Sequence, residues 1–395
     1  MTKTVTLLTS GLTQADVVDV ARHGAKVVIS QTALDAMAKT REHIEKLAVA
    51  ENAVYGISTG FGALANRHID VADRVQLQKS LIRSHAAGMG AIVENEVTRA
   101  LMLLRLKTLC SGRTGVRPEV AETYAKLLNA NITPIVHEFG SLGCSGDLAP
   151  LAHCAMVVMG EGRAFGPDGI EKPVAELLRD ANITPVELRE KEGLALINGT
   201  DGMLGMLILA INDLESLTDS ADVIAAMSVE GLLGTDQVFR PELHFALRPH
   251  AGQAKSAANM YAALAGSPIV ASHRDGDDRV QDAYSLRCAP QVTGAVRDSI
   301  AYAKSVAENE LFYIEVGSTE LKIETDGPVT AILVGGVPFD EKIVMWWNFV
   351  AGSQKEITEA REQWNARDAR FGDFEDQIGG WIPAPELPHV TLQPR

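Results

Sequence analysis

The stretch from Met203 to about Leu233 is unusually apolar for its length, and it constrains the fold more than any other part of the chain. Its residues have helical spacing, and its polar positions collect on one side, at Asp213, Glu215, Asp219 and Asp222. A helix this long and apolar has to pack against other helices or against another subunit. The sequence therefore predicts a helical bundle, with this helix in its middle or at an oligomer interface.

Composition narrows the class of partner. The chain has 395 residues, enough for a large core and two or more domains, and a formal net charge of -15. Such an acidic chain is not expected to bind nucleic acid or an anionic membrane, so we expect a small-molecule partner. The most apolar run, Met203 to Ile211, is too short to span a bilayer, and the N-terminus lacks a signal-peptide pattern. The four cysteines lack paired or zinc-ligand spacing, which predicts a cytoplasmic protein without a structural metal.

Helical periodicity extends over most of the first 310 residues. The pattern predicts helices over Asp16–Ala50, Val71–Ala87, Glu94–Leu109 and Leu148–Met159, and a further helix that ends near Glu310. The expected fold class is therefore mainly α.

The stretch Gly140–His153 contains a tripeptide, Cys144-Ser145-Gly146, that can carry chemistry. Because Gly146 lacks a Cβ, its nitrogen can approach the carbonyl carbon of residue 144 in a tight turn. Ring closure with loss of two waters would leave a conjugated ring with an exocyclic methylene. The alternative is an ordinary Ser-Gly-Asp turn that starts the helix at Leu148.

Two further candidates lie near glycines in the first hundred residues. Tyr55 begins a loop with three glycines in eight residues, and its phenol can donate or accept a proton. The alternative is an interfacial tyrosine with a satisfied hydroxyl. His85 lies at the end of a predicted helix, where a capping or packing role is the alternative to ligand binding.

Polar side chains also collect in two later segments. Asn198 lies in the polar turn that ends the run Leu194–Thr200. Gln281, Tyr284 and Arg287 bring an amide, a phenol and a guanidinium into seven residues. Arg287 can bind a carboxylate as a bidentate fork, although a surface salt bridge is the alternative for an isolated arginine.

These segments, in this order and spacing, resemble the aromatic amino acid ammonia-lyases, and the histidine ammonia-lyase branch in particular, over residues 1–310. The resemblance covers Asn52–Gly62, Ser84–Gly88, Gly140–His153, Leu194–Asp201 and Gln281–Gln291. That family builds a methylidene-imidazolone group from Ala-Ser-Gly or Cys-Ser-Gly. Its active sites gather residues from several subunits, so the resemblance implies a homotetramer with a helical-bundle core.

The resemblance implies elimination of ammonia from L-histidine to give urocanate, with no metal. By the same resemblance, Cys144, Ser145 and Gly146 form the prosthetic group, and Tyr55 and Tyr284 transfer protons. Asn198 and Gln281 position the electrophile or the substrate. Arg287 binds the substrate carboxylate, and His85 recognises the imidazole. Relatives acting on phenylalanine or tyrosine usually carry apolar residues at the position of His85.

The pattern changes after Glu310. Leu311–Thr325 and Val329–Val334 alternate as strands do, and all four tryptophans lie beyond this point. The segment 311–395 resembles the C-terminal end of a pirin-type bicupin protein, at Leu333–Phe339, at a strand over Met345–Val350, at a helix over Glu356–Trp364 and at the tail Pro383–Pro388. The resemblance implies a small β-rich, cupin-like segment with one helix, to which no metal ligands carry over.

The two resemblances divide the chain into a lyase-like region 1–310, without the C-terminal half of the family's helical core, and a pirin-like segment 311–395. The segments that are not found contribute pocket and interface in the family, so turnover and tetramer formation are expected to suffer. Two alternatives stay open. One is a noncatalytic pirin-like interaction protein, and the other is an ammonia-lyase or aminomutase for another aromatic amino acid, which His85 disfavours.

Overall fold

The chain divides into two units, Met1–Phe312 and Tyr313–Arg395, of which the first is mainly helical. A computed structural model describes residues 3–50, 52–62, 65, 67–141, 146–244, 246, 248–308, 344–346, 349–351, 353–368, 370 and 383–387. The helices of the first unit are α1 Gln14–Arg22, α2 Gln31–Ala48, α3 Val71–His85, α4 Asn95–Cys110, α5 Pro118–Asn129, α6 Leu148–Val158, α7 Val174–Asp180, α8 Glu192–Ile197, α9 Asp201–Gly231, α10 Pro241–His244, α11 Ala251–Ala263, α12 Pro268–Ser272, α13 Tyr284–Arg287 and α14 Ala289–Glu308. A mainly α fold is therefore confirmed.

Short strands join the helices of the first unit. They are β1 Thr4–Leu7, β2 Lys26–Ile29, β3 Met89–Ile92, β4 Thr133–Pro134, β5 His137–Phe139, β6 Arg163–Phe165 and β7 Glu171–Pro173. β1 pairs with β2 in parallel, β3 pairs with β5 antiparallel, and β6 lies between β4 and β7.

The prediction of one continuous helix over residues 16–50 is wrong. α1 ends at Arg22, and Gly24 follows with φ +67°, a conformation that stops a helix. The next residues form β2, in which Val27 is buried and Val28 is exposed, as the period of a strand requires. A Ser30 cap then starts α2.

Helix α4 is the centre of the larger core. Its residues from Leu101 to Leu106 are all buried, so the helix is enclosed on every side. Helices α1, α5 and α9 pack against it. Gly205 of α9 allows a close crossing, since a Cβ there would lie 3.0 Å from the Ala100 Cβ.

The second half of α9 packs with α11 and α14 around a smaller core. Asp222 is buried in this bundle, where its carboxylate accepts from Arg297 at 2.7 Å, while Leu217, Ile224 and Met227 are more than 60% exposed. Asp213, Glu215 and Asp219 are exposed, as expected for the polar side of this helix, and Ala226 and Val229 lie in the core. Asp222 is the exception, because Arg297 satisfies its buried carboxylate. The exposed leucine, isoleucine and methionine leave an apolar strip of α9 at the surface.

The described part of the second unit contains β8 Val344–Trp346, β9 Phe349–Ala351 and α15 Gln354–Asn365. β8 and β9 pair antiparallel, so the single strand predicted over Met345–Val350 is wrong. Phe349 and Ile357 share a small core with Trp346 and Trp364. The strands predicted over residues 311–334 lie outside the described residues.

Candidate active site

Gly146, the third residue of the tripeptide, is held tightly against the turn that follows α8. It pairs with Gly199, and the N–H of the next residue, Asp147, donates to the Gly199 carbonyl at 2.7 Å. Gly146 has φ +77°, and a Cβ on it would lie 2.2 Å from the Gly199 oxygen. Only glycine fits this position, as a tripeptide folded back on itself would require. Cys144 and Ser145 lie outside the described residues.

Asp147 connects this loop to the long helix. Its side chain is 1% exposed, and one carboxylate oxygen accepts from the N–H groups of Gly202 and Met203 at 2.7 and 3.1 Å. The other oxygen accepts from the Ser141 hydroxyl at 2.6 Å. Since the first N–H groups of a helix have no partner within it, Asp147 caps α9 from another segment. From the sequence we assigned this residue no role of its own, although it directly precedes a predicted helix start.

A buried ion pair lies beneath the Asn198–Gly199 turn. Arg105 of α4 is 2% exposed and pairs with Asp201, the first residue of α9. The same guanidinium donates to the backbone carbonyl of Asn198 at 2.8 Å, while the Asn198 side chain is exposed. Burial raises the pKa of the Asp201 carboxyl, and Arg105 opposes that shift. The ion pair therefore makes a charge tolerable at this depth and fixes the backbone that carries Asn198.

The loop that carries Tyr55 rests on α8. Lys191 donates its N–H to the Gly56 carbonyl at 3.2 Å, and the Leu194 side chain lies where a Cβ on Gly56 would project. The Tyr55 ring is 50% exposed and meets Phe61 edge to face, with ring centroids 6.1 Å apart. Its hydroxyl is thus presented at the surface from a fixed loop.

Helix α8 is anchored by a buried carboxylate. Glu192 has no exposed surface and accepts from Arg117 Nε at 2.9 Å and from the Arg189 N–H at 2.8 Å. The Gly193 N–H donates to Gln78 of α3 at 2.9 Å, and that glutamine is also buried. These contacts join α3, α5 and α8, and sequence periodicity did not identify any of them.

His85 is the last residue of α3 and is half-buried. Its Nδ1 lies 2.9 Å from the Leu81 carbonyl oxygen and 3.1 Å from the Ser84 hydroxyl. A carbonyl can only accept, so the ring carries its proton on Nδ1 when neutral. This leaves Nε2 of His85 as a hydrogen-bond acceptor.

Gln281, Tyr284 and Arg287 form a second group at α13. Arg287 donates to the Gln281 side-chain carbonyl, and its guanidinium carbon lies 4.9 Å from the centre of the Tyr284 ring. Tyr284 is 64% exposed, and Gln281 is also exposed. The three residues therefore form one polar, cationic patch.

Direct contacts do not join the two groups in the described part of the chain. Among the described residues, no hydrogen bond, ion pair or ring contact joins Gln281, Tyr284 or Arg287 to Tyr55, His85, Gly146 or Asn198. The structure thus brings together the loops around residues 55, 146 and 198, and among the described residues these loops make no direct contact with the α13 patch.

The described ranges contain no cluster of three or more His, Cys, Asp or Glu side chains arranged to hold a metal ion. No helix within them has the length and apolarity to cross a membrane.

Comparison with solved structures defines the class. The chain is similar to the tyrosine aminomutase from Streptomyces globisporus, with a TM-score of 0.71 and 37% sequence identity, covering 77% of this chain and 61% of that one. It is also similar to the histidine ammonia-lyase from Trypanosoma cruzi, with a TM-score of 0.67 and 33% identity, covering 76% of this chain and 55% of that one. The fold is the one that these ammonia-lyases and aminomutases share.

Residues 12–314 match the sequence model of the family described as aromatic amino acid lyase, and the chain belongs to that family. The curated histidine ammonia-lyase of Streptomyces avermitilis is 63% identical over 308 residues, which are 78% of this chain and 60% of that protein. The chain thus spans less than two thirds of the length of this relative. Residues 285–372 match the pirin C-terminal cupin domain, which confirms the second resemblance.

Proposed function

We propose that the chain eliminates ammonia from L-histidine to give urocanate. The observation that carries the proposal is the backbone of Gly146, whose positive φ and lack of space for a Cβ suit a cyclising Cys-Ser-Gly tripeptide. The identity of 63% to a histidine ammonia-lyase supports the choice of substrate. In the reaction, the Cα–N and one Cβ–H bond break, a carbon–carbon double bond forms, and ammonium leaves.

Cys144, Ser145 and Gly146 are the residues that would form the methylidene-imidazolone group, which supplies an electrophile for the amino group of the substrate. The surrounding residues then have positioning and proton-transfer tasks. We assign proton transfer to Tyr55 and Tyr284, whose exposed phenols can reach a bound ligand. Asn198 and Gln281 offer amides for positioning.

Arg287 and His85 account for recognition of the two ends of histidine. Arg287 can hold the substrate carboxylate with two parallel hydrogen bonds. His85 has its Nδ1 engaged by Leu81, and its Nε2 can accept from an imidazole N–H of the ligand. A phenyl ring offers no such donor, so His85 favours histidine over phenylalanine.

The pocket would be completed by a second copy of the chain in a homotetramer. The lack of a direct contact between the α13 patch and Tyr55 among the described residues, together with the exposed apolar strip of α9, supports this arrangement. A mixing experiment tests it. We expect Tyr55→Phe and Tyr284→Phe each to be inactive alone, and mixed oligomers to regain activity where one chain contributes Tyr55 and another Tyr284. A mixture as inactive as its parents would contradict a shared pocket.

The reaction itself is tested by ultraviolet detection of urocanate from histidine. Ser145→Ala should abolish the product, whereas the matched control Ser10→Ala, at an exposed site that precedes α1, should leave it unchanged. Intact mass gives an independent readout, because the unaltered chain should lack the mass of two waters and Ser145→Ala should not. Product that survives Ser145→Ala would rule out the mechanism.

A second candidate is elimination or amino migration with another aromatic amino acid, which the similarity to a tyrosine aminomutase favours. Cinnamate or coumarate formation in the same assay would select it. We further propose the cytoplasm as the location, and 1–310 and 311–395 as the lyase-like and pirin-like segments.

A further inference from the structure

The segment that follows His85 is bonded to the helix that follows the tripeptide. The Gly88 N–H donates to Nε2 of His153, a residue of α6, at 3.1 Å. Gly88 lies three positions after His85, so their Cα atoms are at most about 11 Å apart. A hydrogen bond at Gly88 therefore restrains the position of His85.

Close packing makes this contact a fixed one. A Cβ on Gly88 would lie 3.1 Å from His153 Nε2 and 3.3 Å from the His137 Cβ. A Cβ on Gly140 would lie 2.7 Å from the Cβ of Ala149, and Gly140 also accepts the Ala149 N–H at 3.3 Å. Residues 88 and 140 thus pack directly on the first turns of α6.

His153 is suited to accept rather than donate. A backbone N–H can only donate, so Nε2 must be the unprotonated nitrogen and Nδ1 must carry the proton. Burial, with a smaller contribution from the nearby His137, lowers the pKa of His153 and favours the neutral ring. The two imidazole rings have centroids 5.7 Å apart, and His137 Nδ1 is engaged 3.0 Å from the Gly90 carbonyl oxygen.

We propose that His153 is a positioning residue for imidazole recognition, which holds His85 in place through the Gly88 N–H. The inference rests on the proposed function, because it assigns His153 to the same ligand pocket. Loss of the hydrogen bond between Gly88 and His153 should therefore weaken the binding of a ligand with an imidazole ring and leave the binding of a ligand with a phenyl ring unchanged.

Three variants separate the hydrogen bond from the bulk of the ring. In His153→Gln the side-chain oxygen can take the place of Nε2 and accept from Gly88. In His153→Asn the side chain is too short for its oxygen to reach the Gly88 N–H, and His153→Leu has no acceptor. His43→Asn and His43→Leu are matched controls, at an exposed position within α2.

The first readout is amide hydrogen exchange of residues 86–90, measured by mass spectrometry on the full chain. The second is equilibrium binding of urocanate and of its phenyl analogue cinnamate, which needs no turnover. We expect His153→Gln to match the unaltered chain in both. We expect His153→Asn and His153→Leu to lose protection at 86–90 and to bind urocanate about three- to tenfold more weakly, the usual net effect of one hydrogen bond. Cinnamate binding should stay constant.

Unchanged protection in His153→Leu would overturn the contact, and lost protection with unchanged urocanate binding would overturn its role in recognition. An unaltered chain that binds no urocanate would instead remove the proposed function. That outcome is distinguishable, because the exchange data report the Gly88 contact without any ligand.

Discussion

Removing Asp201 from the buried ion pair should destabilise the first unit strongly. Arg105 and Asp201 have side chains that are 2% and 8% exposed, so Asp201→Ala leaves a guanidinium without its counter-charge. Breaking such a pair typically costs about 3–5 kcal/mol. The Asn198 and Ala195 carbonyls continue to accept from Arg105, at 2.8 and 3.2 Å, which favours the lower end, about 3 kcal/mol.

The assay is urea unfolding followed by far-ultraviolet circular dichroism. All four tryptophans lie at position 346 or beyond, so fluorescence does not follow the first unit, whereas circular dichroism follows its helices. With a slope of about 3 kcal/mol per molar urea, the midpoint should fall by about 1 M. The matched control is Asp168→Ala, which breaks an exposed ion pair with Lys172 and should cost less than about 1 kcal/mol.

A double-mutant cycle tests the reasoning. Arg105→Met should also destabilise the unit, because it leaves the Asp201 carboxylate buried without its partner. Combining Arg105→Met with Asp201→Ala should cost less than the sum of the two, by about 0.5–3 kcal/mol. Additive losses would refute the interpretation, since they would mean that the two side chains stabilise the fold independently.

Three further outcomes are expected in urea unfolding. Gly294→Ala should cost about 1–3 kcal/mol, because a Cβ there would lie 2.4 Å from the backbone of α11; Gly231→Ala, with nothing within 4 Å, should not destabilise. Glu192→Ala, at a fully buried site, should cost about 3–5 kcal/mol, against little for the exposed Glu187→Ala. Burial lowers the pKa of His153 from its ordinary value of 6.5, so the neutral ring stabilises the fold above pH 6.5 and this stabilisation is lost as the pH falls through the lowered pKa. The free energy of unfolding of His153→Gln should fall less over the same pH range.

Features of the local backbone were predicted well from the sequence. Helix α6 begins at Leu148 as expected, and Gly146 has a positive φ that its residue type allows. Both depend on neighbouring residues alone, which a single sequence contains. The strand β2 was not predicted because its partner β1 lies more than twenty positions away in the sequence. Its four alternating residues also lie within a longer stretch that has helical spacing.

Long-range polar contacts could not be predicted. Arg105 and Asp201 are 96 positions apart, and Glu192 is 75 positions from Arg117. Periodicity identifies which side of a helix is apolar but carries no information on which charge pairs with which. One signal was available for Arg105, since a single arginine in the apolar run Leu101–Leu106 requires a buried acceptor.

Helix α9 links the candidate site to the small bundle, and its two ends explain its unusual sequence. The N-terminal end is capped by Asp147 and begins with Asp201, so it belongs to the site. The helix then runs for 31 residues, about 46 Å, into the bundle, where Arg297 holds Asp222 inside. In that half Ala226 and Val229 are buried with Asp222, while Leu217, Ile224 and Met227 are exposed. A long apolar sequence is therefore not fully buried within one chain. The strip containing Leu217 and Ile224 is the surface that another copy of the chain would cover.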